Sequence, residues 1–564
     1  MISTSRFCLL RIPPFQRGLP TLAVATQRPV ASAETLTEVG RRIVEDRTGG
    51  TFWAPPPSCV KPILVCAGYE IDKNGTHNLA RLLERLASVF SPQDMMLITP
   101  GRHGPAARVA RRYGVLHLRE PIDPHALLDH AQEVHELTRG DIGDIAALRA
   151  QKVMRYDDPG HDGYAVDGAK VAQQLVQDWR YLDPYTGDET TIQKILQFQA
   201  LWRRTIDANR NIGACVGMSL WKRRRIAAFF TTPPRHPPFF RHARIAARRC
   251  SAQCKAIVTW ATRMPYGLER QAEVAKVPVW RVEDGFVRSV GLGSGLQVPA
   301  SIFVDQRGIY YDPSEPSDLE HILATAAFDA DLRERAHTLT AHLVQKGISK
   351  YGRSDLAPVV EWNADGRRVL LVPGQVSDDL SVLKGGGRVR GNMELLKTVR
   401  HHNPDAFIIY RPHPDVVAGY RNGQLPDNEV LVYADHISMG GSITDLIWQV
   451  QEIHTLTSLA GFEALLRQRK VVTYGCPFYA GWGLTTDLGQ IPDGRRGRML
   501  LIEELVAGAL ILYPRYIDPL TQIPCEVETV IARFDDMHAW RPTLLMRLKQ
   551  FHGRIKHMTK HRSD

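Results

Sequence analysis

The sequence predicts an α/β protein in which two lobes face each other across a cleft, preceded by a truncated half-module of related design. Short apolar runs alternate with helical stretches between residues 255 and 490, which is typical of parallel sheets. A weaker copy of this late half occurs between residues 60 and 200. Polar motifs follow the apolar runs, at the sheet edge where such folds hold their ligands.

The late half divides into two stretches in which strands alternate with helices. The first stretch has strand-like runs at 256–260, 277–282 and 301–305, and the second has them at 369–372, 407–411 and 453–456. Two such units in succession predict two α/β lobes with a cleft between them.

The internal repeat is recognised from three matches in the same order: residues 133–138 resemble 452–457, 148–153 resemble 466–471, and 180–184 resemble 515–519. The early copy reads RGDIGDI where the late copy reads SLAGFEA, and it has nothing like the aromatic loop at 478–483. Its Arg102-His103 is a distorted version of Arg411-Pro-His413. We therefore expect a vestigial half-module that serves as a scaffold or a docking surface.

Composition bounds the size and the partners. The chain has 564 residues and a formal net charge of +11, which indicates two to four domains and favours an anionic partner. A nucleotide, an acidic sugar and an anionic membrane all fit. The positive charge is clustered at residues 221–225 and 241–249 and in the tail from Arg547. We expect these clusters to be solvated faces, with a cytoplasmic leaflet as the alternative contact.

Cysteine usage favours a reducing compartment. The eight cysteines are scattered, and Cys250 and Cys254 have no second pair to complete a zinc site. No run of about twenty apolar residues predicts a membrane span. The first fifty residues lack the apolar core of a secretory signal and are interpreted as a loose extension.

The first chemical motif is Glu283-Asp284, which ends an apolar run and precedes Gly285. Adjacent carboxyls at a strand end suit proton transfer, because burial and a like charge each raise the pKa of an acid. The alternative is a solvated turn.

The second motif, Asp378-Asp379, also follows a predicted strand and precedes the flexible residues 385–387. A carboxylate there can attack an anomeric carbon or stabilise an oxocarbenium-like transition state. Capping of the loop is the alternative, and a Mg²⁺ site is not excluded because such sites use only one or two carboxylates.

The third motif surrounds His413. Pro412 and Pro414 restrict the backbone on both sides of the imidazole, and Arg411 supplies a forked anion donor. This arrangement suits a nucleotide leaving group, although a histidine beside prolines can also be structural.

Two further motifs complete the set. Thr457 and Ser458 stand at the predicted start of a helix, where their hydroxyls can cap the helix and contact a phosphate. The aromatic loop at 478–483 offers rings to a base or sugar, or else packs into the core.

The four motifs EDGF with RS, GQVSDD, RPHPD and TSLAGFEALL with GCPFYAGWGLT closely resemble, in this order, the KpsC/LpsZ family of bacterial capsule polysaccharide proteins. The resemblance is strong over residues 255 to 525. It implies a GT-B-like fold of two Rossmann-like lobes. It also implies a retaining β-Kdo glycosyltransferase that moves Kdo from CMP-Kdo to a lipid-linked acceptor during biosynthesis of the capsule linker. The acidic, His-Pro and Ser/Thr motifs are similar to those of bacterial sialyltransferases.

The resemblance also implies roles for individual residues. Asp379, with Asp378 beside it, is the candidate nucleophile, and Glu283 or Asp284 activates the acceptor hydroxyl. The remaining predicted ligands bind CMP, its phosphate and the Kdo carboxylate: His413, Pro414, Arg411, Thr457, Ser458 and Arg288. Because the early copy has no acceptor lobe and no catalytic motifs, we expect one linkage rather than two.

The predicted organisation assigns residues 1–55 to an irregular extension, 56–200 to a partial glycosyltransferase module, 201–250 to a basic helical linker, 251–365 to an acceptor-side lobe, 366–525 to a CMP-sugar-binding lobe and 526–564 to a basic tail.

The expected partners are CMP-Kdo as donor substrate, a Kdo-bearing glycolipid and capsule assembly proteins, with no nucleic acid, no metal and no resident cofactor. The expected location is the cytoplasm, either free or peripheral on the inner membrane. A non-catalytic component of capsule assembly or export, and a transferase for another CMP-activated ulosonic acid, are the alternatives.

Overall fold

The computed structural model describes residues 8–16, 22–27, 29, 32–67, 73–99, 104–159, 161–290, 297–350, 352–353, 362–417, 421, 423–439, 441–536 and 538–540. The chain divides into two compact units, one formed by residues 1–210 with 230–236 and the other by 211–229 with 237–564. Among the described residues, no helix is both long and apolar enough to cross a membrane. The predicted Arg102-His103 motif and the tail from Arg547 lie outside the described residues.

The first unit contains nine strands and seven helices in its described part. The strands are β1 (Ala23–Ala25), β2 (Ile63–Cys66), β3 (Met95–Thr99), β4 (Leu116–Arg119), β5 (Glu133–Glu136), β6 (Lys152–Arg155), β7 (Tyr164–Ala165), β8 (Trp179–Leu182) and β9 (Glu189–Thr190). The helices are α1 (Ala33–Glu45), α2 (Lys73–Ala87), α3 (Pro105–Arg112), α4 (Pro124–Leu128), α5 (Asp141–Leu148), α6 (Gly168–Gln177) and α7 (Ile192–Arg210). One sheet has the order β4-β3-β2-β5-β6-β7, and a smaller one the order β1-β8-β9.

The second unit contains the remaining elements. Its strands are β10 (Ile212–Val216), β11 (Phe239–Phe240), β12 (Ala256–Trp260), β13 (Val279–Asp284), β14 (Ser301–Asp305), β15 (Ile348–Ser349), β16 (Gly352–Arg353), β17 (Val369–Pro373), β18 (Phe407–Arg411), β19 (His436–Ile437), β20 (Glu452–Thr455), β21 (Lys470–Thr473), β22 (Thr486–Asp487), β23 (Pro514–Ile517) and β24 (Pro524–Cys525). Its helices are α8 (Arg223–Phe229), α9 (Ala243–Gln253), α10 (Leu268–Val274), α11 (Asp318–Thr325), α12 (Ala330–Gln345), α13 (Leu380–Gly385), α14 (Gly391–His402), α15 (Pro414–Val417), α16 (Asp427–Val430), α17 (Ile443–Gln449), α18 (Leu459–Leu466), α19 (Ile502–Val506) and α20 (Val527–Ala532).

Two α/β lobes make up this second unit, as the alternation of strands and helices predicted. The sheet of the first lobe has the order β11-β10-β12-β13-β14-β23-β24, and that of the second lobe the order β19-β18-β17-β20-β21-β22. The second sheet is parallel throughout, and its strands β17 and β20 are completely buried because helices cover both faces. This is the GT-B-like architecture of two Rossmann-like lobes.

The boundaries of the elements differ from the prediction in three places. The predicted linker at 201–250 contains β10, which is fully buried between β11 and β12. The chain also leaves the second lobe before residue 514, because β23 pairs with β14 of the first lobe. In the predicted irregular extension, α1 is capped by Ser32, whose Oγ accepts the Thr35 N–H at 3.2 Å, and buries one apolar face.

The structure confirms the internal repeat in detail. The six-stranded sheets of the two units have equivalent strand orders. His135 Nδ1 contacts the Tyr156 hydroxyl at 2.9 Å, as His454 Nδ1 contacts Tyr474 at 3.1 Å. The repeat also extends beyond residues 60–200, because the arrangement β1-β8-β9 matches β14-β23-β24.

The early copy replaces the phosphate-facing hydroxyl motif with buried carboxyl groups. Glu136, at the position of Thr455, accepts the Gly143 N–H at 2.9 Å near the start of α5, and the helix is preceded by Gly140 without a side-chain cap. Arg155 Nη2 contacts Glu136 at 2.8 Å and Asp144 at 3.1 Å. The chain's own carboxylate therefore occupies the helix start where the late copy has an open hydroxyl pair.

This carboxyl cluster predicts a pH-dependent stability of the first unit. Burial raises the pKa of Glu136 to about 7 although Arg155 opposes it, and burial likewise raises the pKa of Asp141 to about 7. Because the folded state holds these protons more tightly than the unfolded chain, the free energy of unfolding falls as the pH rises from the ordinary carboxyl range to about 7, by about 3 kcal/mol for Glu136 and about 4 kcal/mol for Asp141. Hydrogen exchange of peptides covering 133–148 in the full chain should be faster at pH 8 than at pH 5 after correction for intrinsic rates.

The Glu136→Gln variant keeps the acceptor oxygen and should remove about half of this pH dependence, since Asp141 continues to contribute. Peptides covering 452–466 in the late copy provide the internal control. Equal protection of 133–148 at both pH values would contradict the assignment.

Candidate functional site

The carboxyl ends of strands from both lobes of the second unit open into one cavity of about 1800 Å³. Nine of the ten residues predicted from the sequence line it: Glu283, Asp284, Asp378, Asp379, Arg411, His413, Pro414, Thr457 and Ser458. The exception is Arg288. The four motifs therefore meet at a common site.

Strand register explains why the three loops of the second lobe meet. In the parallel sheet Pro373 pairs with Arg411, so the loops that follow β17 and β18 leave the sheet side by side. Strand β20 pairs with the opposite side of β17, which brings Thr457 and Ser458 to the same edge. Adjacent parallel strands thus place the Asp379, His413 and Ser458 loops around one opening.

Glu283 and Asp284 end β13 in the first lobe, and their pKa values are shifted in opposite directions. Burial, and then the Asp284 charge, raise the pKa of Glu283. Glu283 Oε1 accepts the Asp284 N–H at 3.1 Å, whereas Oε2 is buried with no hydrogen-bond partner among the described residues. A carboxyl group in this condition can accept a proton from a substrate hydroxyl.

Three cations keep Asp284 ionised. Burial opposes its charge, but Arg288, Lys222 and Lys350 together lower the pKa of Asp284. Arg288 Nε lies 2.9 Å from Asp284 Oδ2, and Lys222 Nζ lies 3.4 Å from Oδ1. The neighbouring acids therefore have pKa values displaced in opposite directions, which separates a proton acceptor from a permanent anion.

Asp379 caps α13 and differs from its neighbour. Its Oδ1 accepts the N–H of Ser381 at 2.9 Å and the hydroxyl of Ser381 at 2.8 Å, which fixes the orientation of the carboxylate. Asp378 is 57% exposed and pairs with Arg421 at 3.1 Å. Of the two adjacent carboxylates, Asp379 therefore has the more firmly fixed orientation.

Gln375 links the ends of β17 and β20. Its Nε2 donates to the Thr457 hydroxyl at 2.9 Å, and its Oε1 accepts the Thr457 N–H at 3.1 Å. Because Thr457 also approaches Ser381 at 3.5 Å, this amide connects the Asp379 loop to the start of α18.

Burial favours the neutral form of the His413 ring, and one hydrogen bond defines its tautomer. Burial lowers the pKa of His413, although Asp415 and Asp379 oppose the shift. Nδ1 accepts the Asp415 N–H at 3.1 Å, so the ring proton is on Nε2, which can donate to an anionic oxygen. Arg411 donates to the carbonyl groups of Ser438 at 3.3 Å and Gly441 at 2.7 Å, and thereby ties the end of β18 to the loop before α17.

Ser458 is the N-cap of α18, as the sequence predicted. Its Oγ accepts the Ala460 N–H at 3.2 Å, and its hydroxyl proton is available for a second partner. The positive end of the helix and the Ser458 hydroxyl form an arrangement that attracts a phosphate.

Tyr310 and Tyr311 show how close the acids of the two lobes are. Burial, then the charges of Glu283 and Asp379, raise the pKa of Tyr310 well above its ordinary value, and the same groups act on Tyr311. Phe286 of the first lobe also stacks on Phe478 of the second, with ring centroids 4.5 Å apart. Carboxylates from opposite lobes therefore act on the same buried phenol.

Within the described residues, no cluster of three or more His, Cys, Asp or Glu side chains is placed to hold a metal ion. The cations that face the acidic groups are instead side chains of the protein, namely Lys222, Arg288 and Lys350.

Comparison with known proteins identifies the family. A family model described as "Capsule polysaccharide biosynthesis protein" matches residues 255–354 and 332–516. The lipopolysaccharide-processing protein LpsZ of Rhizobium meliloti is 38% identical over 311 residues, which cover 53% of this chain and 69% of LpsZ. The chain belongs to the KpsC/LpsZ family of capsule polysaccharide proteins.

Other members of the KpsC/LpsZ family match a larger part of the chain or have known structures. The capsule polysaccharide modification protein LipA of Neisseria meningitidis serogroup A is 38% identical over 452 residues, which are 76% of this chain and 63% of LipA. The chain thus spans less than two thirds of the length of LipA. The solved structure of Thermosulfurimonas dismutans KpsC, described as a beta Kdo 2,7 transferase, is 35% identical with a TM-score of 0.47 and covers 58% of this chain and 99% of that one.

The position of Arg288 does not fit its predicted role as a ligand of a sugar carboxylate. Its side chain is 1% exposed, pairs with Asp284 and donates to the Gln297 carbonyl at 2.8 Å. The sequence showed an arginine next to the Glu283-Asp284 motif but could not show that Asp284 of the same motif binds it.

The aromatic loop is largely core rather than binding surface. Tyr479 and Trp482 are buried, and the Trp482 indole donates to the Phe478 carbonyl at 2.9 Å. Only Phe478 of this loop lines the cavity. Packing of the loop against α18 explains Gly461 of that helix, since a Cβ there would come within 2.2 Å of the Tyr479 hydroxyl.

Lys222 lies at the site although the sequence did not predict it there. It lies in a cluster expected to be solvated, yet its side chain is 13% exposed and its Nζ lies 3.6 Å from the centre of the Trp260 ring. Arg225 of the same cluster is also partly buried, and it donates to the Pro519 carbonyl at 3.3 Å. The one available signal was Trp221 beside Lys222, an aromatic residue within a basic run.

Proposed function

We propose that this chain is a retaining β-Kdo glycosyltransferase that transfers Kdo from CMP-Kdo to a lipid-linked acceptor in the biosynthesis of a capsule polysaccharide linker. One observation carries the proposal. Glu283 and Asp284 of one lobe and Asp379, His413 and Ser458 of the other line a single cavity. The family membership and the Kdo transferase description of the KpsC structure support the choice of donor.

In the first step, Asp379 attacks the anomeric carbon of Kdo, and the bond from that carbon to the CMP phosphate oxygen breaks. CMP leaves with both electrons of that bond. The Nε2–H of His413, the Ser458 hydroxyl and the N-terminus of α18 stabilise the departing phosphate.

In the second step, Glu283 accepts the proton of the acceptor hydroxyl, whose oxygen then forms a bond to the anomeric carbon as the bond to Asp379 breaks. Two displacements at one carbon retain its configuration. Asp284 remains ionised beside its cations, so that its charge keeps the pKa of Glu283 high enough for proton transfer.

The Kdo carboxylate needs a cationic partner. Lys350 and Arg263 on the first lobe and Arg411 on the second line the cavity and can supply it. Because the leaving phosphate meets an imidazole, a hydroxyl and a helix terminus, we propose a mechanism that needs no metal. Transfer should therefore persist in the presence of EDTA.

The test is the covalent intermediate. After incubation with CMP-Kdo alone, intact mass should show a single Kdo adduct, which disappears in Asp379→Ala. The matched control is Asp378→Ala, which removes the adjacent exposed carboxylate and should retain the adduct. Transfer to a Kdo-bearing glycolipid should fall by at least a thousandfold in Asp379→Ala, because the first displacement has no nucleophile.

An adduct that persists in Asp379→Ala and is lost in Asp378→Ala would assign the nucleophile to the neighbouring residue. Folded wild-type protein that gives no adduct, no hydrolysis of CMP-Kdo and no transfer to any acceptor would instead favour a non-catalytic component of capsule assembly. Adducts formed from CMP-sialic acid but not from CMP-Kdo would identify another ulosonic acid as the donor.

A further inference from the structure

A basic surface lies at the carboxyl ends of three parallel strands of the first lobe. Strands β10, β11 and β12 are parallel, so the segments after them leave the sheet at one edge. We call residues 217–225, 241–245 and 261–267 the arginine rim. Gly217 packs against the Arg263 carbonyl and Pro265, which shows that two of the segments are in contact.

The charge of the rim has one sign. Arg224, Arg241, Arg244 and Arg263 are exposed, and the three segments contain no Asp or Glu. Exposed guanidinium groups at one sheet edge, with no carboxylate in their own segments, create a positive potential that attracts a polyanionic surface.

Each of the three rim segments also exposes one large apolar side chain. Leu220 is 69% exposed, Ile245 is 51% exposed, and Tyr266 projects fully from the surface. Exposed apolar side chains cost solvation free energy without contributing to the core, and their grouping marks an interaction surface. The rim therefore offers charge and apolar anchors together.

We infer that the arginine rim docks onto an anionic lipid bilayer. Basic side chains are attracted to anionic headgroups, and apolar side chains among them insert at the boundary with the acyl chains. Leu220 and Ile245 favour a bilayer over a nucleic acid, because aliphatic side chains do not stack on bases as aromatic ones do.

The position of the rim gives this docking a consequence for the reaction, which rests on the proposed function. Thr262 and Arg263 belong to the rim and also line the cavity, on the lobe that carries Glu283. A bilayer held at the rim would therefore present the headgroup of a lipid-linked acceptor at the mouth of the cavity, beside the proton acceptor. The donor would enter from the aqueous side.

Vesicle flotation of the full chain tests the inference without any sugar substrate. The wild type should float with vesicles of phosphatidylcholine and phosphatidylglycerol at a 7:3 ratio and stay unbound with phosphatidylcholine alone. The charge variant Arg224→Glu/Arg241→Glu/Arg244→Glu should lose at least tenfold in partition, and Leu220→Ser/Ile245→Ser/Tyr266→Ser should also bind more weakly.

The matched control reverses three exposed charges on helix α3 of the first unit, as Arg108→Glu/Arg111→Glu/Arg112→Glu. It has the same net charge as the rim charge variant and should bind like the wild type. Equal losses in control and rim variant would mean that net charge alone acts, which would overturn the inference. So would a wild type that ignores anionic vesicles, or one that binds single-stranded RNA through the rim instead.

Transfer assays separate this inference from the proposed function. The rim charge variant should transfer to a deacylated, soluble acceptor at the wild-type rate but lose activity on the same acceptor embedded in vesicles. Equal rates on embedded acceptor would overturn the docking role and leave the enzymatic proposal intact. Absence of any transfer by the wild type would count against the enzymatic proposal, and flotation would still decide the docking.

Discussion

Replacing Glu283 by Gln should lower transfer to the acceptor by about 10²–10⁴-fold while leaving the covalent half-reaction intact. The carboxamide keeps the size of the side chain but cannot accept the proton of the acceptor hydroxyl. Because Asp379 acts before the acceptor is needed, the Kdo adduct should still form and should accumulate. Intact mass in the presence of acceptor would measure that accumulation directly.

The pH dependence gives a second readout of the same residue. Burial and Asp284 raise the pKa of Glu283, and only its ionised form can accept a proton. The rate of the wild type should therefore rise with pH through this raised pKa, and the rising limb should be absent in Glu283→Gln.

Glu269→Gln is the appropriate control for this prediction. Glu269 is an exposed carboxylate of the same lobe that pairs with Arg281, so its loss should leave transfer within twofold of the wild type. If Glu283→Gln keeps the full rate of sugar transfer, Asp284 would be assigned as the general base instead. The adduct that accumulates distinguishes a lost base from a misfolded site.

Much of this site could be predicted from the sequence because each motif follows an apolar strand. Parallel strands end at one sheet edge, so Asp379, His413 and Ser458 had to be neighbours once the runs before them were recognised as strands. Glu283 ends a strand of the other lobe, and its position across the cavity follows from the two-lobed fold. Strand periodicity and motif order therefore carried this part of the prediction.

What could not be predicted depends on contacts between residues far apart in the chain. The Lys222 ammonium reaches Asp284 across 62 positions, and no local pattern distinguishes it from the exposed Arg224. Likewise, the early helix α1 is stabilised by burial of Val39 and Ile43, and the sequence alone does not show what they pack against. The sequence reveals which residue types are present, and the fold decides which of them become buried pairs.

Replacing Lys222 by Met should move the rising limb of the transfer rate to higher pH by about one unit. Lys222 lowers the pKa of both Asp284 and Glu283, so its removal makes both acids hold their protons more strongly. At pH values below the raised pKa of Glu283 the rate should fall about tenfold, because less Glu283 is ionised, and it should recover at higher pH. Arg288 and Lys350 still face Asp284 and keep it charged in this range.

The Lys222→Arg variant is the matched control, because arginine keeps the charge and can also lie over the Trp260 ring. It should restore most of the wild-type pH profile. A purely structural role for Lys222 would lower the rate by the same factor at every pH and would not be rescued by charge. An electrostatic contact moves the pH of the half-maximal transfer rate and leaves the plateau at high pH unchanged. That result would identify Lys222 as a residue that sets the pKa values of Glu283 and Asp284.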